Sequence, residues 1–482
     1  MQTLYPDYYA QFRCTADKCP ITCCQEWKIS VDDDTLKRWA ALNPPVDSKL
    51  FTYVQDGQRV IALNSRHVCP FLEKNKLCRL VLEHGEDAIS ETCQVFPRET
   101  HSFADHEEAS LMPCCPAVID LWAAQDATPL TFPHPNIDSI PFFIRSAIID
   151  AILQQTDRLP EQILSACFYM IQEIHRKKKP TKVFVSDCFS EKSFCQLYDA
   201  MDDLSPDCID SVLECNELLL DLSVNYQKEQ LYQEWLTPLT QQAETLSELL
   251  TEPEEELPAQ WQAFRTAFAQ YEPLMRSYLA NEVYSELLSF EDTTKHMLVR
   301  LQWLMLQYAA VRQSLFLIWQ DSPEAFSYEK VREALVIINR MTGYDEEDIY
   351  EYLETIEAGI SLTGPEVKSL RAGQVNFTDS YVEFRRGEAW LIGLHIAPYT
   401  NAGYVEQNAD RPRKLLMHAQ EIASFAAKVE QKGLTVVPAK LYLKHGKIKV
   451  ELALGRGRKL HDHRVELKRR AETRDMQREL RG

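Results

Sequence analysis

The sequence predicts a multidomain α+β chain: a Cys-rich, metal-binding N-terminal module, then a helical bundle, then a small β-barrel with helices. Three observations predict it. Nine of the 14 cysteines lie in the first 115 residues and none follows Cys215. From about residue 140 apolar side chains recur at three-and-four spacing, and after Ile356 they alternate with polar or small ones.

A chain of 482 residues is too long for one ordinary core, so two or three domains are expected. The charge-free run in the most apolar segment extends only from Leu301 to Val311, short of the roughly 18 residues a spanning helix needs, so no membrane segment is expected. "MQTLYPDYYAQFRC" has neither the basic start nor the apolar core of a secretory signal, which makes the cytoplasm the expected compartment. Disulfides are then a poor account of the cysteines. Residues 361–482 hold 23 Lys and Arg against 14 Asp and Glu, leaving 29 against 58 for residues 1–360. The basic end suits an anionic partner such as RNA.

Residues 1–125 read as loop-rich, with little helical period. In residues 126–345, Ile144, Ile148, Ile149 and Ile152 share one helical face, and Leu301, Leu304, Met305, Tyr308 and Val311 share another, as bundle-core stripes do. The texture changes at a junction over 346–355. Ile356, Ala358, Ile360 and Leu362 then alternate as a half-buried strand. "SYVEFRRGEAWLIGLHI" reads as a hairpin turning at Arg386-Gly387, and "AKLYLKHGKIKVELALG" as another turning at His445-Gly446. Between them Ile422, Phe425, Ala426 and Val429 mark one amphipathic helix that stops at Gly433. Short strands with one helix over 356–457 predict a small barrel, followed by a basic tail over 458–482.

"CTADKCPITCC" spaces its thiols Cys-x4-Cys-x3-Cys-Cys, and "CPFLEKNKLC", "SETCQVFPRE" and "PCCP" add five more. Thiolates on such short loops can converge on a soft metal or an iron-sulfur cluster. One zinc is satisfied by four ligands, so nine cysteines point to a cluster or to two sites, with zinc as the alternative. In the adjacent pairs Cys23-Cys24 and Cys114-Cys115 the side chains are expected to diverge.

"FRCTADKCPITCCQEWKISVDDDT", "CPFLEKNKLCRLVLEHGEDAISETCQVFPRE" and "CCPAVIDLW" resemble the flagellin lysine-N-methylase family, within the wider group of zinc- or iron-chelating Cys-rich domains. The resemblance is specific to about residue 120 and fainter to about 345. It implies methyl transfer from S-adenosylmethionine to lysines of flagellin, with a 4Fe-4S cluster held by Cys14, Cys19, Cys23, Cys24, Cys69, Cys78, Cys93 and Cys115. Cys114 stands where the family usually has serine, and Ala117 where it usually has an acid. The sequence contains no glycine-rich methyltransferase element and names no general base, although a lysine must lose a proton before it accepts a methyl group.

"ETIEAGISLTGPEVKSLRAGQVNFTDSYV", "LHIAPY", "RPRKLL" and "KGLTVVPAKLYLKHGKIKVELALGRGRKLHDHR" resemble the SsrA-binding (small protein B) family of bacterial trans-translation, over essentially all of 354–482. That resemblance implies an OB-type barrel with appended helices, transfer-messenger (SsrA) RNA and the ribosome as partners, and no enzymatic activity. By the match, Glu366, Lys368, Arg371, Asn376, His395, Arg411, Arg413 and Lys414 are RNA-facing candidates. Arg458, Lys459, Asp462, Arg464, Arg470, Arg474, Arg478 and Arg481 form a ribosome-facing tail, in which Asp462-His463-Arg464 replaces the family's Asp-Lys-Arg. Where the family carries a basic arm, this chain reads "TGYDEEDIYEYLE", acidic and helical in pattern. The chain is thus either a fusion or a join of two reading frames. The expected function is SsrA RNA binding and ribosome rescue; the alternatives are lysine methylation of flagellin with the barrel as passenger, and a non-catalytic metal-bound scaffold.

Overall fold

The computed structural model describes residues 2–27, 29–55, 57–124, 129–134, 139–177, 179–204, 208–249, 256–289, 293–343, 349, 355–371, 373–377, 380–399, 408–432, 434–444 and 447–456. The chain divides into two compact units, Met1–Tyr344 and Asp345–Gly482.

The first unit carries more regular structure in its cysteine-rich part than the sequence pattern suggests. Strand β1 (Gln2–Leu4) runs parallel to β5 (His106–Leu111), which pairs antiparallel with β4 (Arg98–Ser102); β2 (Thr52–Gln55) and β3 (Gln58–Ile61) form a separate hairpin. Helix Asp33–Ala41 starts where Asp32 accepts the Thr35 N–H at 2.7 Å, an N-cap. A small core of Ile29, Val31, Trp39, Ile61, Phe71 and Leu80 lies beneath these loops, with the Trp39 indole N–H donating to the Ala88 carbonyl at 2.7 Å.

The remainder of this unit is helical. Helix Thr294–Asp321 buries residues on nearly every side, from Met297 and Leu301 to Phe316 and Leu317, as a helix enclosed by others must. It packs on helices Pro160–Arg176, Cys208–Lys228 and Tyr328–Met341. The expected stripes are core: Ile144, Ile148, Ile149 and Ile152 are all buried in helix Ile140–Gln154. Helix Glu272–Glu286 buries polar Arg276, Asn281 and Glu282 along with its apolar residues. Among the described residues no helix is long and apolar enough to cross a membrane.

The second unit contains a closed six-stranded barrel. Its strands are β6 (Thr355–Ile360), β8 (Tyr381–Arg385), β9 (Glu388–Ile392), β11 (Arg413–Leu416), β12 (Leu434–Lys444) and β13 (Lys447–Arg456), in the order β11-β6-β13-β12-β8-β9, and β9 closes onto β11. Alternation fills it: Ala358 and Ile360, Ala389 and Leu391, Val450 and Leu452 point into one core. The β8–β9 hairpin turns at Arg386-Gly387, where both φ angles are positive (52° and 75°), as a two-residue turn of this hand demands. The β12–β13 register closes at Lys444 opposite Lys447, while the His445-Gly446 turn lies outside the described residues. Helix Ala419–Lys432 lays Ile422 and Phe425 on the barrel core; its expected stop, Gly433, is also outside. A short pair, β7 (Val375–Asn376) with β10 (His395–Ile396), sits beside helix Gly364–Arg371.

Candidate functional site

The separated cysteine segments fold into one neighbourhood. Cys69 belongs to the small core under the loops, and Cys24, Cys78 and Cys93 pack against it. Cys23 is the meeting point: its thiol hydrogen-bonds that of Cys24, and Cys19, Cys69, Cys93 and Cys115 all lie within its electrostatic reach. Cys78 is in reach of Cys69 and Cys93, and Cys14 of Cys19. The Cys23-Cys24 pair therefore does not diverge as expected, because the tight turn at Thr22–Cys24 brings both thiols to one side. Cys114 and Cys115 do part: Cys115 faces Cys19 and Cys23, whereas Cys114 lines a cavity with Glu99 and Glu282.

Burial pushes Cys69 up to about 12, Cys93 to about 11 and Cys115 to about 12, and the bond to Cys24 together with burial raises Cys23. Burial thus favours the neutral form of these four thiols, and a bound cation would have to displace their protons. Among the described residues no three of them bring their sulfurs within 4.8 Å of one another. One tetrahedral zinc with bonds of about 2.3 Å needs a tighter set.

Arg340, on helix Tyr328–Met341, ties the loops together. Its guanidinium donates to the Cys114 carbonyl at 3.1 Å, the Thr22 carbonyl at 3.3 Å and the Ile21 carbonyl at 3.0 Å, and lies 5.5 Å from the Trp27 ring centre. Sequence reasoning missed it. The available signal is a lone arginine in the apolar run "ALVIINRM".

The cavity beside Cys114 has a volume of about 190 Å³. Glu99, Glu282, Glu286 and Arg300 reach it from three segments, with Met112, Leu304 and Trp303 among its walls. Arg300 bonds Glu286 at 3.2 Å, and His101 lies 3.7 Å from Glu99. Burial raises the Glu99 carboxyl, but the nearby His101, the Ser285 hydroxyl and the Arg300 charge together outweigh it and hold Glu99 low; burial and the nearby Glu99 charge raise Glu286. Burial, with repulsion from Glu286 and Glu99, raises Glu282 well above the carboxylate range. These acids were also missed. A glutamate pair four apart inside an otherwise buried helix, "NEVYSE", is the one sequence hint.

In the barrel unit the RNA-facing candidates separate into two groups. Glu366 and Arg413 are interior: Arg413 is 0 % exposed and donates to Glu366 at 3.0 Å and to the carbonyls of Leu394, Arg411 and Ala409. Strand alternation is the cause, since Arg413 shares the inward face of β11 with Leu415. Glu366 also accepts from the Thr363 N–H (2.7 Å) and hydroxyl (3.0 Å) and twice from Arg411 (2.9 and 2.6 Å). "TGPE" is thus a capping-box sequence opening helix Gly364–Arg371. Burial alone would raise Glu366, yet the bonds from Arg411 and Thr363 and the Arg413 charge hold it down at about 2. Lys414 points outward and pairs with Glu388 at 2.5 Å.

The other candidates share an exposed face. Lys368 and Arg371 project from helix Gly364–Arg371, with the Lys368 ammonium 5.1 Å from the Tyr399 ring centre. Asn376 and His395 are register partners across β7–β10, and His395 pairs with Asp410 at 2.7 Å. Arg411 lies at the edge of this face, part exposed and bonded to Glu366. The face offers cations, amides and one aromatic ring, the groups that meet phosphates and bases. Arg458, Lys459, Asp462, Arg464, Arg470, Arg474, Arg478 and Arg481 lie outside the described residues.

The family model of the SmpB protein matches residues 337–482. The SsrA-binding protein of Nitratidesulfovibrio vulgaris (strain DP4) is 69% identical over 132 residues, covering 27% of this chain and 86% of the relative. The chain belongs to the SsrA-binding protein family. It does so through its C-terminal unit, which the SsrA-binding protein of Lawsonia intracellularis matches at 60% over 151 residues, 31% of this chain and 95% of the relative. A solved chain described as "tmRNA-SmpB: a journey to the center of the bacterial ribosome" is 50% identical and covers 25% of this chain and 87% of its own, with a TM-score of 0.20. The family model of the FliB lysine N-methylase C-terminal domain matches residues 145–363. That match begins after the cysteine segments and overlaps the SmpB match over residues 337–363, so the two families do not simply abut at 346–355.

Proposed function

We propose that the C-terminal unit binds transfer-messenger (SsrA) RNA and serves, with the ribosome, in the rescue of stalled translation. The observation that carries this is the 69% identity spanning 86% of an SsrA-binding relative. The face of Lys368, Arg371, Asn376, His395 and Tyr399 is the RNA-contacting surface, on a barrel of oligonucleotide-binding type. Glu366 and Arg413 take no phosphate themselves; they fix helix Gly364–Arg371 and Arg411 at its edge. Fluorescence anisotropy of labelled transfer-messenger RNA with the full chain tests this. Binding that Lys368→Ala with Arg371→Ala weakens, and that falls with salt, supports it. Equal binding of the wild type and the double variant removes the assigned face.

The match to the FliB lysine N-methylase C-terminal domain favours a second activity in the N-terminal unit: methylation of a protein lysine, with flagellin as the substrate protein and S-adenosylmethionine as methyl donor. The thiols gathered from Cys14, Cys19, Cys23, Cys24, Cys69, Cys78, Cys93 and Cys115 are more than enough for the four ligands, one on each iron, of a 4Fe-4S cluster, and their spread suits such a cluster better than a single zinc. When bound, such a cluster would supply electron-transfer or Lewis-acid chemistry. Arg340 positions the Ile21–Thr22 and Cys114 backbone around those thiols, and burial of Cys69, Cys93 and Cys115 excludes water from them.

A further inference from the structure

The cavity beside Cys114 has properties that neither the thiols nor the helical core explain. Its volume of about 190 Å³ exceeds many times the about 10–15 Å³ that one bound water requires. Its walls are apolar over much of their extent: Trp303 and Leu304 of one helix face Val283 of another. Its charged groups are three carboxylates and one guanidinium, and the Gln307 and Asn339 amides and the Thr342 hydroxyl also belong to its lining. Two of those carboxylates have partners, Glu286 with Arg300 at 3.2 Å and Glu99 with His101 at 3.7 Å. Among the described residues Glu282 receives a hydrogen bond from the Asn281 amide alone, at 3.2 Å. A buried carboxyl with that one neutral donor is the place where a cation would gain most.

Exposure gives the cavity a direction. The Glu286 and Glu99 side chains are 30 % and 28 % exposed, whereas Glu282 is 7 % exposed and Cys114 is 3 % exposed. The mouth is therefore at Glu99 and Glu286 and the floor at Glu282 and Cys114. A guest enters past a pair of acids, slides along aliphatic and indole surface, and ends against a third acid.

We propose that this cavity receives an alkylammonium side chain, that of a lysine, with its methylene stem along Trp303 and Leu304 and its ammonium held by Glu282 at the floor. The apolar walls match the stem, and the carboxylates match the charge, with the Trp303 ring face adding attraction for the cation. A divalent metal fits less well. Glu99, His101 and Glu286 could bring three ligand atoms within 4.8 Å, but the Arg300 guanidinium already occupies Glu286 and would repel an ion there. The apolar remainder of the cavity would also serve no purpose for an ion. The raised Glu282 carboxyl agrees with a floor that lacks its cation. This assignment rests on the methylase reading for the identity of the guest as a protein lysine, and the cavity adjoins Cys114, next in sequence to the thiol Cys115.

The test uses the full chain and two probes of equal length, n-butylammonium and n-butanol, with binding followed by calorimetry. Butylammonium is expected to bind about tenfold or more tighter than butanol, the worth of one charge-assisted bond. Glu282→Gln is expected to remove that preference, with circular dichroism unchanged. Leu304→Trp, which fills the cavity, is expected to abolish binding of both probes and decides the matter where the glutamine variant folds poorly. Equal binding of the two probes to the wild type, no binding of either, or Mn²⁺ binding at this site with which butylammonium does not compete would each overturn the proposal. Ammonium binding without methylation of a flagellin lysine would uphold the pocket and remove the methylase reading. Methylation that Glu282→Gln leaves unchanged would uphold that reading and overturn the pocket.

Discussion

Replacing Glu366 with Gln keeps the side-chain shape and removes one charge from a buried network. In the wild type that carboxylate accepts from Thr363, Arg411 and the fully buried Arg413. The amide nitrogen of Gln would face donors on one side, and the Arg413 charge would lose its counter-ion inside the barrel. Breaking a buried pair by removing one partner costs about 3–5 kcal/mol. The Lys414–Glu388 pair provides the contrast: both side chains are about two-fifths exposed (41% and 42%), and such pairs contribute about 0–1 kcal/mol. Hydrogen exchange by mass spectrometry reads the barrel within the full chain. In β12 and β13 amides, Glu366→Gln should speed exchange by about two to three and a half powers of ten, at about 1.4 kcal/mol per tenfold, and Glu388→Gln by less than about one. Similar effects from the two substitutions would refute the argument that the interior pair holds this unit together. The pH dependence has a definite sign. Glu366 is held down at about 2 in the folded chain, so its stabilisation is complete above the ordinary carboxylate range. It is lost as pH falls from about 4.5 towards 2, and Glu366→Gln should lack that component of acid sensitivity.

Three further outcomes follow from the same structure. Protein purified without oxygen should be brown and contain iron and acid-labile sulfide, and Cys23→Ser should lower both; colourless wild type with one zinc and no sulfide would contradict the cluster assignment. Arg340→Met should reduce iron content while leaving every thiol in place, because it frees the Ile21, Thr22 and Cys114 carbonyls; unchanged iron and sulfide would show that the loops hold themselves. Lys368→Ala should lower the magnitude of the salt slope of RNA affinity by about one, as the loss of one phosphate contact requires, and an unchanged slope would place Lys368 away from the backbone.

Much of the barrel is legible in the sequence because its signals are local. The Arg386-Gly387 turn, the alternation of Ala358 with Ile360, and the Ile422–Phe425 face of helix Ala419–Lys432 each lie within a few residues of chain. Arg413 shows where composition misleads. "RPRKLL" reads as a basic surface, yet the parity that turns Leu415 inward also turns Arg413 inward, where Glu366, far back in sequence, supplies the counter-charge. The cysteine segments announce themselves by residue type, but their convergence depends on Arg340, more than two hundred residues from Cys114. The acidic cavity leaves almost no local trace, since Glu99, Cys114, Glu282, Arg300 and Thr342 come from segments that tertiary folding alone brings together. The tail residues lie outside what the structure describes.

The central claim is that this chain, with its N-terminal unit attached, serves as an SsrA-binding protein. The most direct measurement adds the full chain to a bacterial translation system depleted of its own SsrA-binding protein and stalled on a message without a stop codon, and follows release of the stalled ribosomes. The account predicts release that requires both the chain and transfer-messenger RNA and that Lys368→Ala with Arg371→Ala impairs. Stalled ribosomes that remain stalled in the presence of both, under conditions where an isolated SsrA-binding relative releases them, would contradict it.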